Sequence, residues 1–101
     1  MRQPARLARR LAAAVIVASI SALPAHAACY ADYKAKRDSP LRLHYGVIQI
    51  PDAACNPAGA ATEITRRIAT EGWTLLNVLS VFGPEGLEER KDSAGAHFLR
   101  Y

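Results

Sequence analysis

The stretch EGWTLLNVLSVFG, Glu71 to Gly83, decides the fold because it joins the end of a helix to a long strand. A strand with one buried face shows apolar residues at every second position. Here large apolar side chains occupy both sets of positions, so both faces of the strand are predicted to be covered. The apolar residues are Trp73, Leu75, Leu79 and Val81 at odd positions and Leu76, Val78 and Phe82 at even positions.

The preceding segment has the start and stop signals of a helix. Asn56 is a favourable N-cap residue, and Pro57 suits the first helical position. Gly72 supplies the expected C-terminal stop. The sequence therefore predicts a helix from Pro57 to Glu71 with one narrow apolar stripe, which packs on a single surface. The stripe is formed by Ala61, Ile64 and Ile68.

The rest of the chain predicts two further strands. Residues 41–50, LRLHYGVIQI, are rich in aliphatic and β-branched side chains, and residues 94–101, AGAHFLRY, form the last strand. Residues 87–93 are charged and are predicted to be a solvated loop or the tip of a hairpin. Residues 28–40 are predicted to be an ordered leader, either a helical turn or an edge strand.

These elements give an α+β fold, a small β-α-β-β two-layer sandwich with one helix on a three-stranded sheet. We expect a single domain over residues 41–101, its first two strands parallel through a right-handed crossover and its last two paired as a hairpin. The helix covers one face of this sheet. Exposed apolar patches are unusual on monomers, so the other face is expected to meet a second copy in a sheet-to-sheet homodimer, the leader, or a small molecule.

Residues 1–27 have the layout of a secretory signal peptide. The start is basic, an apolar run from Leu11 to Leu23 follows, and Ala25 and Ala27 suit cleavage before Ala28. The run is shorter than the roughly 20 residues of a membrane-spanning helix. The sequence thus predicts a periplasmic or secreted bacterial protein with no stable membrane anchor after cleavage.

The charge of the chain belongs largely to that segment. The whole sequence has 13 Lys and Arg and 9 Asp and Glu, but four of the arginines and none of the acids lie in residues 1–27. Cleavage therefore leaves nine charges of each sign. The mature chain offers no electrostatic argument for a nucleic-acid partner.

The two cysteines, Cys29 and Cys55, are expected to form a disulfide in an oxidising compartment. Two alternatives remain open at this stage. Cys29 could accept a lipid, although His26 stands where a lipoprotein signal has an aliphatic residue. The pair could also be redox-active or bind a metal, although there is no C-x-x-C spacing.

The predicted elements follow one another in an order that is known from other proteins. This order is a strand, a helix carrying ITRRIATEG, the segment GWTLLNVLSVF and a last strand that ends in an aromatic residue. Over residues 41–101 the chain resembles a family of small bacterial domains of unknown function, whose mark is a helix ending in Glu-Gly-Trp before a hydrophobic strand. The resemblance implies a β-α-β-β fold and no catalytic residues. In our interpretation Gly72 turns the backbone out of the helix, and Trp73 fills the corner between helix and sheet.

Few residues suggest chemistry. His44 and His97 lie in predicted strands without the third convergent ligand that a metal site needs, so no metal or cofactor is predicted. The leading hypothesis is a non-enzymatic module of the bacterial envelope that binds a second copy of itself or another envelope protein. The alternative is a small enzyme or ligand carrier with a cleft at a dimer seam, where the candidate contact residues are His44, Tyr45, Trp73, Asn77 and His97.

Overall fold

The computed structural model describes residues 28–101, so the predicted signal peptide of residues 1–27 lies outside the described part. Within it, three strands form one antiparallel sheet in the order β2-β1-β3. Two helices pack on this sheet, which confirms the predicted α+β class. The elements in chain order are β1 (Cys29–Arg37), β2 (Arg42–Ile50), α1 (Pro57–Ile68), β3 (Thr74–Phe82) and α2 (Glu88–Ala94).

The predicted leader is in fact β1, the central strand of the sheet. Its sequence CYADYKAKR alternates in period two, as a strand buried on one face requires. The side chains on one face are buried beneath α1, and the small alanines leave room for the helix. The buried residues of this face are Cys29, Ala31, Tyr33 and Ala35.

The predicted strand order is therefore wrong. The chain runs β-β-α-β-α, with β1 and β2 joined by the turn at residues 38–41. The strands β2 and β3 each pair with β1 and not with one another, so there is no parallel pair between them. A four-residue connection can join only antiparallel neighbours, and this fixes the first hairpin.

Helix α1 follows the prediction closely. Asn56 caps it by accepting a hydrogen bond from the Gly59 backbone N–H at 2.7 Å. A 3-10 turn at Ala69–Glu71 continues the helix to Gly72, which has a φ of 82° and so adopts the left-handed conformation that glycine tolerates. The buried stripe consists of Ala60, Ile64 and Ile68, with Ala60 in the place predicted for Ala61.

Strand β3 has apolar residues at both odd and even positions because its pairing with β1 is irregular at two places. The register shifts once between the partners of Asp32 and Tyr33 and again between those of Lys34 and Ala35. Each shift adds one residue to β3, which is the definition of a β-bulge. The added residues are Leu79 and Leu76, both largely exposed, whereas Leu75, Val78 and Val81 pack against the core.

The C-terminal region differs from the prediction in two ways. The predicted loop at residues 87–93 lies mostly within α2, and the predicted strand at residues 94–101 is a helix end followed by a 3-10 turn. Gly95 has a φ of 53°, which an extended strand does not allow. The tail makes one parallel bridge, between Phe98 and Val47 on the outer edge of β2.

The disulfide is present between Cys29 and Cys55, whose Cα atoms lie 6.0 Å apart. It ties the start of the central strand to the segment before α1. Because both sulfurs are bonded to one another, Cys29 has no thiol left to accept a lipid. Such a bond is typical of oxidising, exported environments. Among residues 28–101 there is no helix of the length and apolarity needed to cross a bilayer.

Candidate functional site

The sheet separates the candidate residues into two groups. We call the side packed on α1 the core face and the opposite side the second face. His44 is paired with Ala35 and lies on the core face, whereas Tyr45 is paired with Lys34 on the second face. The predicted set of ligand residues is therefore not one site.

On the core face, two histidines meet. The rings of His44 and His97 stack with centroids 3.7 Å apart and planes 9° from parallel. The Trp73 ring meets His44 edge-on at 4.2 Å, and Tyr33 Oη lies 2.9 Å from His44 Nε2. We call these four residues, with Tyr101, the histidine cluster.

Backbone contacts bring the cluster together from distant parts of the chain. The Leu99 N–H donates to the Val47 carbonyl at 2.8 Å, which carries the tail past the edge of β2. Gly46 opposes Tyr33 across the sheet, and a Cβ at that position would lie 2.5 Å from Tyr33 Oη. Glycine at position 46 thus gives the Tyr33 ring the space in which it reaches His44.

The end of the tail is held by charge. Arg67 Nη1 donates to the Tyr101 carbonyl at 3.1 Å, and Tyr101 Oη donates to Glu71 Oε1 at 3.1 Å. Arg100 forms a salt bridge with the same carboxylate oxygen at 3.3 Å. On the other side, Arg37 lies over the Trp73 ring at 4.3 Å. The two histidines therefore lie among aromatic rings, with Arg37 and Arg100 as the nearby positive charges.

This setting keeps both imidazoles neutral. Burial, the neighbouring His97 and the positive charges of Arg37 and Arg100 lower the pKa of His44 to about 4. Burial and Arg100 also lower the pKa of His97, although Glu71 acts in the opposite direction. A general base with a pKa of about 4 is weak at neutral pH. The cluster therefore has the character of a structural clamp that holds the tail on the sheet.

The cluster does not have the arrangement of a metal site. Nδ1 of His44 and Nδ1 of His97 are buried and have no hydrogen-bond partner among residues 28–101. The lone pair of an imidazole lies in the plane of its ring, so two parallel stacked rings do not direct their lone pairs to one point. Over the same residues no group of three or more His, Cys, Asp or Glu is placed to hold an ion.

Acid should weaken the fold through His44. Because its folded pKa lies below the usual value of about 6.5, the unfolded chain binds the proton first, and stability present above pH 6.5 is lost as the pH falls toward 4. After a discount for its partial exposure, we expect a loss of about 1 to 2 kcal/mol. Urea unfolding at pH 7 and pH 4.5 measures it.

The matched variant for this prediction is His44→Phe, which keeps a ring in the stack but cannot titrate. It should remove the part of the acid-induced loss that belongs to His44 and leave the part that belongs to His97, whose pKa is also lowered. An unchanged acid response in this variant would show that other groups cause the loss.

On the second face, a buried carboxylate joins β1 to three other elements. Asp32 on β1 is 6% exposed and accepts hydrogen bonds from Ser80 Oγ at 2.6 Å and Tyr45 Oη at 2.8 Å. Arg90 Nε on α2 donates to it at 3.0 Å and stacks its guanidinium over Phe82. This network fixes α2 on the sheet.

The electrostatics of this network favour the charged carboxylate. Burial acts to raise the pKa of Asp32, but the hydrogen bonds from Ser80, Tyr45 and Arg90 outweigh it, so the pKa lies below the usual value. Burial and the bond to Asp32 raise the pKa of Tyr45 to about 12. Ser80 and Asp32 lie on the opposite face of the sheet from both histidines. Serine, histidine and aspartate therefore do not form a catalytic triad here.

The remaining half of the second face is open. Beyond Tyr45 toward the β1–β2 turn, a groove of about 280 Å³ is lined by residues that include Lys34, Leu43, His44, Tyr45 and Leu76. Leu41 is 63% exposed, Leu43 67% and Leu76 50%. We call Leu41, Leu43 and Leu76, with Lys34 between them, the leucine surface. Asn77 is the β3 residue paired with Lys34.

Sequence reasoning named His44, His97 and Trp73 together, and the structure brings them into contact. It did not connect Asp32 with Ser80 and Arg90. An acid at the centre of an alternating apolar strand was the available signal, because such a buried acid needs partners.

A search for similarity to protein-family models, to curated proteins and to solved structures gave no match for this chain.

Proposed function

We propose that this chain is an exported, non-enzymatic binding module of the bacterial envelope, and that it binds through the leucine surface. The observation that carries the proposal is the exposure of Leu41, Leu43 and Leu76 on one end of the molecule. Three large apolar side chains that stay in water mark a surface that a partner covers. The disulfide supports export, and the predicted signal peptide supports a periplasmic or secreted location.

The strand edges are poorer candidates for the binding surface. The outer edge of β2 already receives a hydrogen bond from the tail at Val47. The outer edge of β3 belongs to a strand with two bulges, and bulges are one of the devices that prevent a further strand from adding to a sheet. A partner therefore meets side chains of the open face and does not extend the sheet.

A homo-oligomer and another envelope component are the two routes by which this surface could be covered. A small ligand carrier is the second candidate function, because the groove beside the leucine surface is lined by Tyr45 and Lys34 of the second face. In this case the cleft lies within one chain and needs no dimer seam.

Residue-resolved NMR of the oxidised protein beginning at Ala28 tests the proposal. Spectra are recorded with two fractions of bacterial cells, the membrane vesicles of the envelope and the soluble extract. Shifts or broadening should be confined to residues 41–43 and to Leu76. The same residues shifting with protein concentration alone would identify self-association as the route.

Two results would contradict the proposal. One is the absence of any response to every fraction and to concentration. The other is a response centred on the histidine cluster. The matched control is Leu99→Ser, an exposed leucine on the tail, which should leave the response unchanged, whereas Leu43→Ser should weaken it.

A further inference from the structure

The end of the molecule that carries the leucine surface is also its basic end. The β1–β2 hairpin closes at the pair Arg37 and Arg42, and Lys36 and Lys34 follow along β1. Only Asp38 in the turn offsets them, through a salt bridge with Lys36 at 3.4 Å. We call residues 34–43 the hairpin tip.

These cations keep their charge available. Lys34 and Arg42 form no ion pair with any of residues 28–101, and both are exposed. Arg37 is engaged by the Trp73 ring and by the Glu71 carbonyl at 2.9 Å, both of which are uncharged. The hairpin tip therefore combines a net positive charge with the two most exposed leucines of the described chain.

Acidic side chains gather at the opposite end of the sheet. Phe82, the last residue of β3, pairs with Tyr30 at the start of β1, and residues 83–93 that follow carry four acidic and two basic side chains. The length of β1, about 25 Å at roughly 3.3 Å per residue, separates the two ends. An anionic surface would attract the hairpin tip and repel the far end.

Resting on the proposed function, we infer that the partner of the leucine surface is an anionic phospholipid bilayer, which the hairpin tip contacts from outside. Leu41 and Leu43 enter the boundary between headgroups and acyl chains, and Lys34, Lys36 and Arg42 meet the phosphates. Apolar side chains flanked by cations are the composition that binds such an interface.

The alternatives fit the surface less well. A two-fold dimer through the hairpin tip would place Lys34 and Arg42 of one copy against the same residues of the other. An added peptide strand would meet the tail at Val47 on the edge of β2 and a bulged strand on the edge of β3, so it would form few regular backbone hydrogen bonds. A bilayer requires neither an edge nor a deep pocket, only a projecting apolar tip.

Sedimentation with vesicles tests the inference. The probe is the oxidised protein beginning at Ala28, which contains the whole sheet, both helices and the disulfide, so that the predicted signal peptide contributes nothing to binding. Vesicles of phosphatidylglycerol and phosphatidylethanolamine should bind it at least fivefold more than vesicles of phosphatidylcholine. Raising the salt from about 0.05 M to about 0.5 M should reverse most of that binding because exposed charges are screened.

Matched variants distinguish binding through the hairpin tip from an effect of the overall charge or hydrophobicity of the protein. Leu41→Ser with Leu43→Ser, and separately Arg42→Glu, should each reduce binding about fivefold or more. Leu99→Ser removes an exposed leucine outside the tip, and Lys91→Glu makes the same charge change on α2. These two controls should bind nearly as well as the parent protein.

No binding to anionic vesicles, or an equal loss in the tip variants and their controls, would overturn the inference. If the NMR response at residues 41–43 is seen with soluble extract, or with concentration alone, while vesicles do not bind, the proposed binding module stands and its lipid partner is wrong. If neither vesicles nor any fraction produces a response, both fail.

Discussion

Replacing Cys29 and Cys55 by alanine should lower the free energy of unfolding by about 3 to 4 kcal/mol. The bond spans 26 positions of sequence, and the chain-entropy model gives about 3.5 kcal/mol for a loop of this size. The described part is also small, and domains of this length have little stability to lose. Urea unfolding of the oxidised parent and of the double variant measures the difference.

The effect should be structural as well as entropic, because Cys29 is buried in the core at the start of the central strand. A reduced parent protein provides the control, since it keeps the sulfur atoms but lacks the bond. It should lose nearly as much stability as the double variant. A loss below about 1 kcal/mol in both would show that the bond does not restrain the unfolded chain as the model assumes.

Asp32→Ala should cost about 3 kcal/mol, the second largest effect that we expect. The substitution leaves Arg90 with only the exposed Glu89 as a counter-charge, and it removes the acceptor for Tyr45 and Ser80. Breaking a buried ion pair by deleting one partner costs roughly 3 to 5 kcal/mol, and the partial exposure of Arg90 places this case at the lower end. Thermal and urea unfolding measure the loss.

Tyr45→Phe is the matched control for this prediction. It removes one of the donors to Asp32 and keeps both the ring and the ion pair, so we expect a loss of about 1 kcal/mol. The helix content of the Asp32→Ala variant should also fall, because Arg90 no longer fixes α2 on the sheet. Equal losses in the two variants would mean that the ion pair adds nothing beyond one hydrogen bond.

The sequence predicted well those elements whose local signals are strong. Helix α1 has an N-cap, a proline at its first position and a glycine stop, and all three act as expected. Strand β2 is rich in β-branched and aromatic residues and was predicted nearly to its ends. Strand β1 was missed as the central strand because its buried positions include Ala31 and Ala35, which have low strand propensity.

The errors in the second half have a different origin. The pattern of β3 was interpreted as a straight strand with two apolar faces, but the bulges at Leu76 and Leu79 shift the alternation, so much of the predicted second layer is not required. The hairpin end of the second face stays open, whereas α2 packs on another part of it through the Asp32 network. Long-range pairing of this kind leaves no local signal in a sequence.

For the candidate site, the sequence allowed a prediction of which residues take part but not of which residues touch one another. His44 and His97 were named because histidine can do chemistry, yet their contact depends on a tail that passes the edge of β2. Asp32, Ser80 and Arg90 lie far apart in sequence, and no spacing rule connects them. The leucine surface was foreseen as an uncovered apolar face, although its position at one end of the sheet was not.

The placement of β1 has a consequence for the order in which this protein can assemble. Both halves of the first hairpin and both cysteines lie within residues 29–55, whereas the second neighbour of β1 begins at Thr74. If the chain reaches its compartment from the N-terminus, the covalent loop can close before the other edge of the sheet has arrived. At that point one edge of the central strand is paired with β2, and the other edge stays unpaired until β3 arrives.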